Sequence, residues 1–309
     1  MMADQIGYLV FGIVLLIAIA LDLGLLSKRS TEIGIKKAFF QTIFWVLLAI
    51  AFFGFLWWYE SQQIALEYLS AYLMEWSLSI DNIFVFILIF SFFKIRSDHV
   101  ARGLLFGILM AIIFRIIFIT VGVVLVENFR AILYVFGAIL LYTGIKIFTI
   151  KESHEYDPLK NPVYKLINRF FPIIHQDVSG KISVVKDGKR FYTHMFVVVV
   201  LLATTDIVFA LDSIPAVFAI SQERLVIYTS NIFAVLGLRS LFFLLKGAVD
   251  KFNFLQQGIA IVLIFIGLKM LAEVFHIKVP ITISLLVIVV CIGGSILYSL
   301  DQIRKKDRK

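Results

Sequence analysis

Long apolar runs alternate with short polar segments throughout the chain. Several runs exceed the roughly 20 residues that a helix needs to cross about 30 Å of hydrocarbon. Because backbone amides and carbonyls find no water in lipid, each run is expected to form a helix that satisfies them internally. We predict nine membrane spans, at residues 6–26, 38–58, 64–93, 101–126, 131–150, 193–220, 225–247, 254–275 and 279–300.

The composition agrees with a membrane protein. Hydrophobic residues make up 61% and charged residues 16% of the 309 positions, which is more apolar than a soluble globular chain. No basic segment precedes the first apolar run, so we predict a first span there and not a cleaved signal peptide. The single cysteine, Cys291, cannot form an internal disulfide or a paired thiol motif. Thiol oxidoreductase chemistry within one chain is therefore excluded.

Basic residues concentrate in alternate loops, which predicts the orientation in the membrane. Most of the 29 Lys and Arg residues fall within 28–37, 94–102, 151–192, 246–251 and 304–309. The loops on the other side hold Arg130, Arg224 and Lys278. By the positive-inside rule, the N-terminus lies outside and the C-terminus in the cytoplasm. This topology accounts for the net charge of +8, so membrane lipids are expected partners and nucleic acid is not.

The segment 151–192 is predicted to be a cytoplasmic loop with structure of its own. A short amphipathic helix is expected from Pro162 to Phe171. The pair Asp187–Gly188, flanked by extended stretches, predicts a β-hairpin with a tight turn. We expect the loop to be a connector, with gating or docking as the alternative.

Charged residues inside the spans indicate an internal repeat. Glu75 and Asp81 are six residues apart, as are Asp206 and Asp212 in the second half. The later charged pairs match in the same order: Arg115 with Arg239, and Lys146 with Lys269. The offsets between halves are 131, 131, 124 and 123 residues, so short deletions bring the halves into register.

Each repeat contains three predicted spans, so the two copies must have opposite orientations in the membrane. Inverted repeats of this kind are typical of secondary transporters, whose sites lie near the bilayer midplane. We therefore predict an all-α polytopic fold with two buttressing spans in 1–63, repeat 1 in 64–150, the loop in 151–192, the inverted repeat 2 in 193–275, and a final span with a basic tail in 276–309.

The acids inside the spans predict a cation site. A charge at the bilayer centre costs roughly 2.5–3.5 kcal/mol, so such acids must face the interior, form pairs or bind an ion. Six residues along a straight helix leave two carboxylates about 120° apart, and we expect Pro215 to break its helix and let them converge. Oxygen ligands without clustered Cys or His favour a hard divalent ion such as Mg²⁺, Ca²⁺ or Mn²⁺. The candidate ligands are Glu75, Asp81, Asn82, Asp206, Asp212 and Ser213.

Four basic residues within the spans leave other interpretations open. Arg115, Arg239, Lys146 and Lys269 could lock the acids in permanent ion pairs, and the two arginines suit this better because guanidinium stays charged and pairs bidentately. The lysines can lose a proton when desolvated, so either could carry proton coupling. The same four bases could instead cradle an anion or an amino acid, which would make the protein an exporter of a different class.

Three stretches resemble a known family: MEWSLSIDNIFVF, TTDIVFALDSIPAVFAI and SNIFAVLGLRSLFFLL. They look like the TerC family, especially its Alx-type members, and the resemblance covers nearly the whole chain. It implies membership of the LysE superfamily of exporters and a bacterial inner-membrane protein linked to Mn²⁺ efflux. It also implies transported Mn²⁺ in place of a permanent cofactor. Phe84 stands where the second repeat has Pro215, so the two half-sites are expected to be unequal.

The leading hypothesis is thus export of Mn²⁺, with proton exchange as an open possibility. Anion or amino-acid export is the second, and a membrane scaffold that recruits a partner through the 151–192 loop is the third. No nucleophile–base constellation or phosphate-binding loop is evident in the sequence, so we do not expect an enzyme. The sequence leaves the oligomeric state open.

Overall fold

The computed structural model describes residues 6–17, 34–129, 131–149, 162–174, 180–186, 189–246, 254–272, 277 and 279–306. Within its helices a few side chains lie outside this description, among them those of Asp81 and Asp212. The first predicted span is described as far as residue 17, and the predicted turn at Asp187–Gly188 lies outside the described residues.

Helices make up most of the described chain. Their bounds are α1 Ile6–Ile17, α2 Ile35–Tyr59, α3 Gln62–Phe92, α4 Ser97–Asn128, α5 Ile132–Thr149, α6 Pro162–Phe170, α7 His194–Ile220, α8 Arg224–Leu236, α9 Leu238–Leu245, α10 Leu255–Ala272 and α11 Ile281–Lys306. Side-chain caps begin the two acid-bearing helices, because Ser61 accepts from the amide of Ile64 and Thr193 from that of Met195.

Four described helices are long and apolar enough to cross a membrane, namely α2, α4, α7 and residues 281–299 of α11. The pair α8 and α9 adds a fifth if the two count as one span bent by 41°. Shorter apolar helices occupy Ile6–Ile17, Ile132–Ile147 and Gln257–Ala272. These helices define a multi-pass, all-α membrane protein, while the number of nine spans stays a prediction.

Two local expectations about helix breaks differ from the structure. Helix α7 continues through Pro215, so the predicted break there is wrong. Proline removes one amide donor, and the tightly buried neighbours Ala216 and Val217 keep the turn packed. The predicted seventh span is instead interrupted at Gly237, where α8 ends and α9 begins. Glycine stabilises a helix interior less than other residues, which makes it a suitable place for a bend.

Helices α5 and α10 pack against each other more extensively than any other described pair. Glycines allow this approach: a Cβ at Gly144 would lie 2.9 Å from the carbonyl oxygen of Ala260, and one at Gly267 would lie 2.8 Å from that of Gly137. The offset of 123 residues between the predicted repeats relates position 144 to 267 and position 137 to 260. The contact of Gly144 with Ala260 therefore recurs as the contact of Gly267 with Gly137. In the predicted repeats α3 corresponds to α7 and α4 to α8. Helix α3 packs against α8 and α4 packs against α7, which is the same contact with the partners exchanged.

Helix α6 and a small sheet come between α5 and α7 in the chain. Strands β1 (Ile173–Ile174), β2 (Ser183–Lys186) and β3 (Lys189–Thr193) are ordered β1-β3-β2. Strands β2 and β3 pair antiparallel, with Ser183 opposite Tyr192, and β1 pairs parallel to β3. This short helix and sheet occupy the segment in which the sequence predicted a helix and a hairpin.

Candidate functional site

Three charged side chains meet in the interior of the helix bundle. Glu75 of α3 is 0% exposed, and Arg115 of α4 and Asp206 of α7 are each 1% exposed. Their helices cross there because the surrounding faces are apolar and pack into a continuous core. Charges this deeply buried are stable only when they are paired or bind an ion.

Arg115 connects the two carboxylates. Its Nε and Nη2 donate to the two oxygens of Asp206 at 3.0 and 3.1 Å, which is a bidentate pair. Its Nη1 donates to Oε1 of Glu75 and also, at 3.3 Å, to Oδ1 of Asn231 on α8. One guanidinium thus binds one acid from each predicted repeat, and the sequence analysis predicts that these two acids are equivalent.

Asn231 is a member of this cluster that the sequence analysis missed. It is fully buried, and its Nδ2 donates to the carbonyl of Ile227 at 2.9 Å, which orients its Oδ1 toward Arg115. An amide within the apolar stretch after Tyr228 is the signal that could have identified it, because unpaired amides are costly in lipid.

Three buried oxygens in this region form no hydrogen bond of good geometry with another described residue, namely Oε2 of Glu75, Oγ of Ser79 and Oγ of Ser213, although the Ser213 hydroxyl is close enough to interact with the Glu75 carboxylate. Ser79 follows Glu75 by four residues, which places both on one face of α3. Ser213 of α7 lies beside Glu75. Both oxygens of Asp206 are bound by Arg115, so within this cluster Oε2 of Glu75 is the carboxylate oxygen that Arg115 does not bind. These three oxygens are hereafter called the open oxygens.

The other predicted site residues differ in their surroundings. Asn82 and Arg239 are buried, on α3 and α9 respectively. Lys269 is also buried, whereas Lys146, its predicted counterpart, is exposed. The side chains of Asp81 and Asp212 lie outside the described part, so their predicted role stays a prediction. Within the residues that the structure describes, no group of three His, Cys, Asp or Glu side chains could hold a metal ion.

Two clefts lie at one end of the bundle, and neither is lined by Glu75, Arg115 or Asp206. Where α3 begins and α7 ends, one cleft of about 430 Å³ is lined by Glu67, Ser221 and Lys269, and another of about 600 Å³ by Glu127 and Arg224. On the opposite side of Asp206, the seam between α4 and α7 leaves no room for a water molecule. That seam is lined by Phe86, Leu104, Gly107, Ile108, Ala111, Leu202 and Leu238.

Apolar helices long enough to span a bilayer, surrounding a buried charged cluster, define an integral membrane protein with several spans. Residues 60–309 match the Integral membrane protein TerC family, and the chain belongs to that family. This confirms the family predicted from the three sequence stretches. Placement in the LysE superfamily stays a prediction.

Relatives cover nearly the full length of the chain. An uncharacterized membrane protein of Myxococcus xanthus is 39% identical over 96% of this chain and 92% of its own length. One from Rickettsia felis is 38% identical over 95% of this chain and 97% of its own. A protein of Escherichia coli (strain K12), Alx, provisionally described as a membrane-bound redox modulator, is 37% identical over 89% of this chain and 88% of its own. No solved structure matches the chain.

Proposed function

We propose that this protein exports a divalent cation, with Mn²⁺ as the candidate, across the inner membrane of a bacterium. The observation that supports this proposal is the set of open oxygens beside Arg115. A carboxylate oxygen and two hydroxyls are hard ligands, and buried oxygens that make few hydrogen bonds to protein groups are suited to bind a divalent ion. Asn82, which lies on the same face of α3 as Glu75, is a further candidate ligand, whereas on this unbroken helix Asp81 lies about 120° away from Glu75.

Arg115 serves in this proposal as a tethered cation that holds the acids when no metal is bound. Glu75 and Asp206 carry two negative charges against the one positive charge of Arg115 within the described cluster. A divalent ion entering at Glu75 would weaken its contact with Arg115, while the bidentate pair with Asp206 would remain. The two acids therefore have different roles, with Glu75 exchanging partners and Asp206 fixing the arginine.

The proposed architecture is nine spans with the N-terminus outside, the C-terminus in the cytoplasm, and repeats at 64–150 and 193–275. The reciprocal glycine contacts of α5 and α10 support the repeat, because a two-fold relation requires each contact to recur with its partners exchanged. The opposite orientation of the two halves is what secondary transporters use for alternating access. We propose that the dry seam beside Asp206 is the closed cytoplasmic side.

Two other functions have less support. Export of an anion or amino acid would need Arg115 to release both carboxylates, and Lys146 is too exposed to share a buried cradle with it. Redox modulation, the provisional description of Alx, would need electron-transfer groups beyond Cys291, the single thiol of the chain. We therefore propose transport as the primary activity.

Intracellular metal content tests this proposal. In cells grown with excess Mn²⁺, loss of the protein is expected to raise cellular manganese measured by mass spectrometry, and the wild-type gene to lower it again. Glu75→Gln should fail to lower it, because the amide cannot supply the open carboxylate oxygen. Asp301→Asn, which also replaces a carboxylate by its amide but at an exposed position of α11 paired with Lys305, is the control and should restore export.

Ser213→Ala should weaken Mn²⁺ export about fivefold at low Mn²⁺, for the loss of one neutral ligand worth ~1 kcal/mol. Ser284→Ala removes another buried hydroxyl without a partner among the described residues, but on α11, and should leave export unchanged. Wild-type export by Glu75→Gln at equal protein level would contradict the proposal, as would manganese content that does not respond to the gene.

A further inference from the structure

Helix α6 has an apolar surface that the rest of the described structure does not cover. Ile167 is buried, and the ring of Tyr164 packs against Phe93 at 5.7 Å between centroids. Leu166 and Phe170, in contrast, are 56% and 68% exposed. Large apolar side chains exposed together on a short helix require a partner surface.

Basic side chains border this apolar surface. At 100° per residue, Leu166 and Phe170 lie on one face, between the protein-facing side of Ile167 and the face of Lys165 and Arg169. The adjoining strands and turns add further exposed bases, namely Lys181, Lys186, Lys189 and Arg190. The sequence from 162 to 193 contains six Lys or Arg residues and two acids, Asp177 and Asp187, so the segment has a net positive charge. This surface is therefore suited to bind a negatively charged partner that also has an apolar interior.

Aromatic contacts fix α6 at the ends of the acid-bearing helices. Phe93, just after α3, contacts both Tyr164 and His194, the first residue of α7. Phe171 packs against Phe196 of α7 at 5.3 Å. Because spanning helices end near the membrane surface, these contacts place α6 at the level of the lipid headgroups.

We propose that α6 and the adjoining sheet bind the anionic phospholipids of the cytoplasmic leaflet. Leu166 and Phe170 insert at the boundary of the acyl chains, and Lys165 and Arg169 bind the headgroup phosphates. The proposal rests on the orientation given under Proposed function, which puts residues 151–192 in the cytoplasm. Its consequence is that lipid charge acts on the inner ends of α3 and α7, the two helices that carry the acids.

Spin-label accessibility of the purified full-length protein tests this surface. In a Cys291→Ser background, nitroxides are attached at Leu166→Cys and, as the matched control on the polar face, at Asn168→Cys. In vesicles with phosphatidylglycerol, we expect the label at 166 to contact oxygen and to be protected from a water-soluble nickel chelate. The label at 168 should show the reverse. In pure phosphatidylcholine, the protection at 166 should be lost.

A charge variant separates electrostatic from apolar binding. Lys165→Gln with Arg169→Gln should raise the phosphatidylglycerol fraction needed for half-maximal protection at 166 by at least about twofold. Lys36→Gln with Lys37→Gln removes two exposed bases at the start of α2 and should leave this phosphatidylglycerol fraction unchanged.

Nickel access at 166 in every lipid would overturn the proposal and indicate a soluble partner for this surface. Equal protection with and without anionic lipid would overturn it as well. Neither measurement involves metal transport, so failure here is distinct from failure of the export proposal.

Discussion

Arg115 is bound on both sides by carboxylates from different helices, which makes it the best-connected charge of the described interior. Removing one partner from a buried ion pair leaves the other charge buried without compensation, and this strongly destabilises the folded protein. Arg115 therefore contributes to stability as well as to the proposed ion exchange.

Arg115→Gln is expected to lower the free energy of unfolding by about 3–5 kcal/mol, measured by denaturant titration in detergent. Adding Asp206→Asn should recover part of this loss, because it removes one of the stranded negative charges. Arg224→Gln breaks an ion pair with Glu127 in which both side chains are about half exposed, and should change stability much less than Arg115→Gln does. Equal effects of the two arginine changes would contradict the buried pairing.

The charged members of the central cluster, and their possible pairing with an arginine, could be predicted from the sequence, but Asn231 and the choice of acids that share Arg115 could not. Spacing identified Glu75, Asp206 and Arg115 because charges are rare within apolar spans. The expectation that the two acids of one helix converge rested on Pro215, whereas the structure joins acids of different helices through Arg115. Pairing depends on how helices cross, and that depends on packing of whole faces.

The contact between α5 and α10 depends on glycine. Gly144 and Gly267 each face a backbone carbonyl at a distance that leaves no space for a Cβ. Close approach through small residues is the usual way in which helices associate in lipid, where no hydrophobic force drives them together.

Gly144→Ala and Gly267→Ala are each expected to lower stability by about 1–3 kcal/mol, since the added methyl group must separate the helices. The two losses should be similar, because the contacts are reciprocal. Gly293→Ala in α11 meets nothing within 4 Å and should be neutral or slightly stabilising. Thermal unfolding of the three purified variants checks this; a loss for Gly293→Ala as large as for the other two would contradict it.

Helix positions followed from the sequence more closely than helix breaks did. The apolar run predicted at 193–220 corresponds to α7 at His194–Ile220. The break, however, falls at Gly237 and not at Pro215. Local propensity marks both positions as possible breaks, and tertiary packing decides which one bends.

Among the clefts and seams of the described residues, those at the two ends of the bundle differ in how open they are. Wide clefts lie at the end where α3 begins, and a dry apolar seam lies on the other side of Asp206. A carrier that opens to one side at a time needs this kind of asymmetry. The direction of the asymmetry depends on the orientation of the chain in the membrane.

Reporter fusions check the orientation. A reporter active in the cytoplasm should be active after residue 309 and within 151–160, and one active outside should be active at the N-terminus. We expect this result because basic residues concentrate in the 151–192 loop and the tail. The same activity at both termini would contradict an odd number of spans.

Mn²⁺ flux through the purified protein in liposomes addresses export without the complications of the cell. We expect wild-type protein and Asp301→Asn to carry Mn²⁺ across the membrane, and Glu75→Gln to lose most of the rate while remaining folded. Equal flux through Glu75→Gln and wild-type protein, or no flux through folded wild-type protein under any imposed ion gradient, would contradict the account.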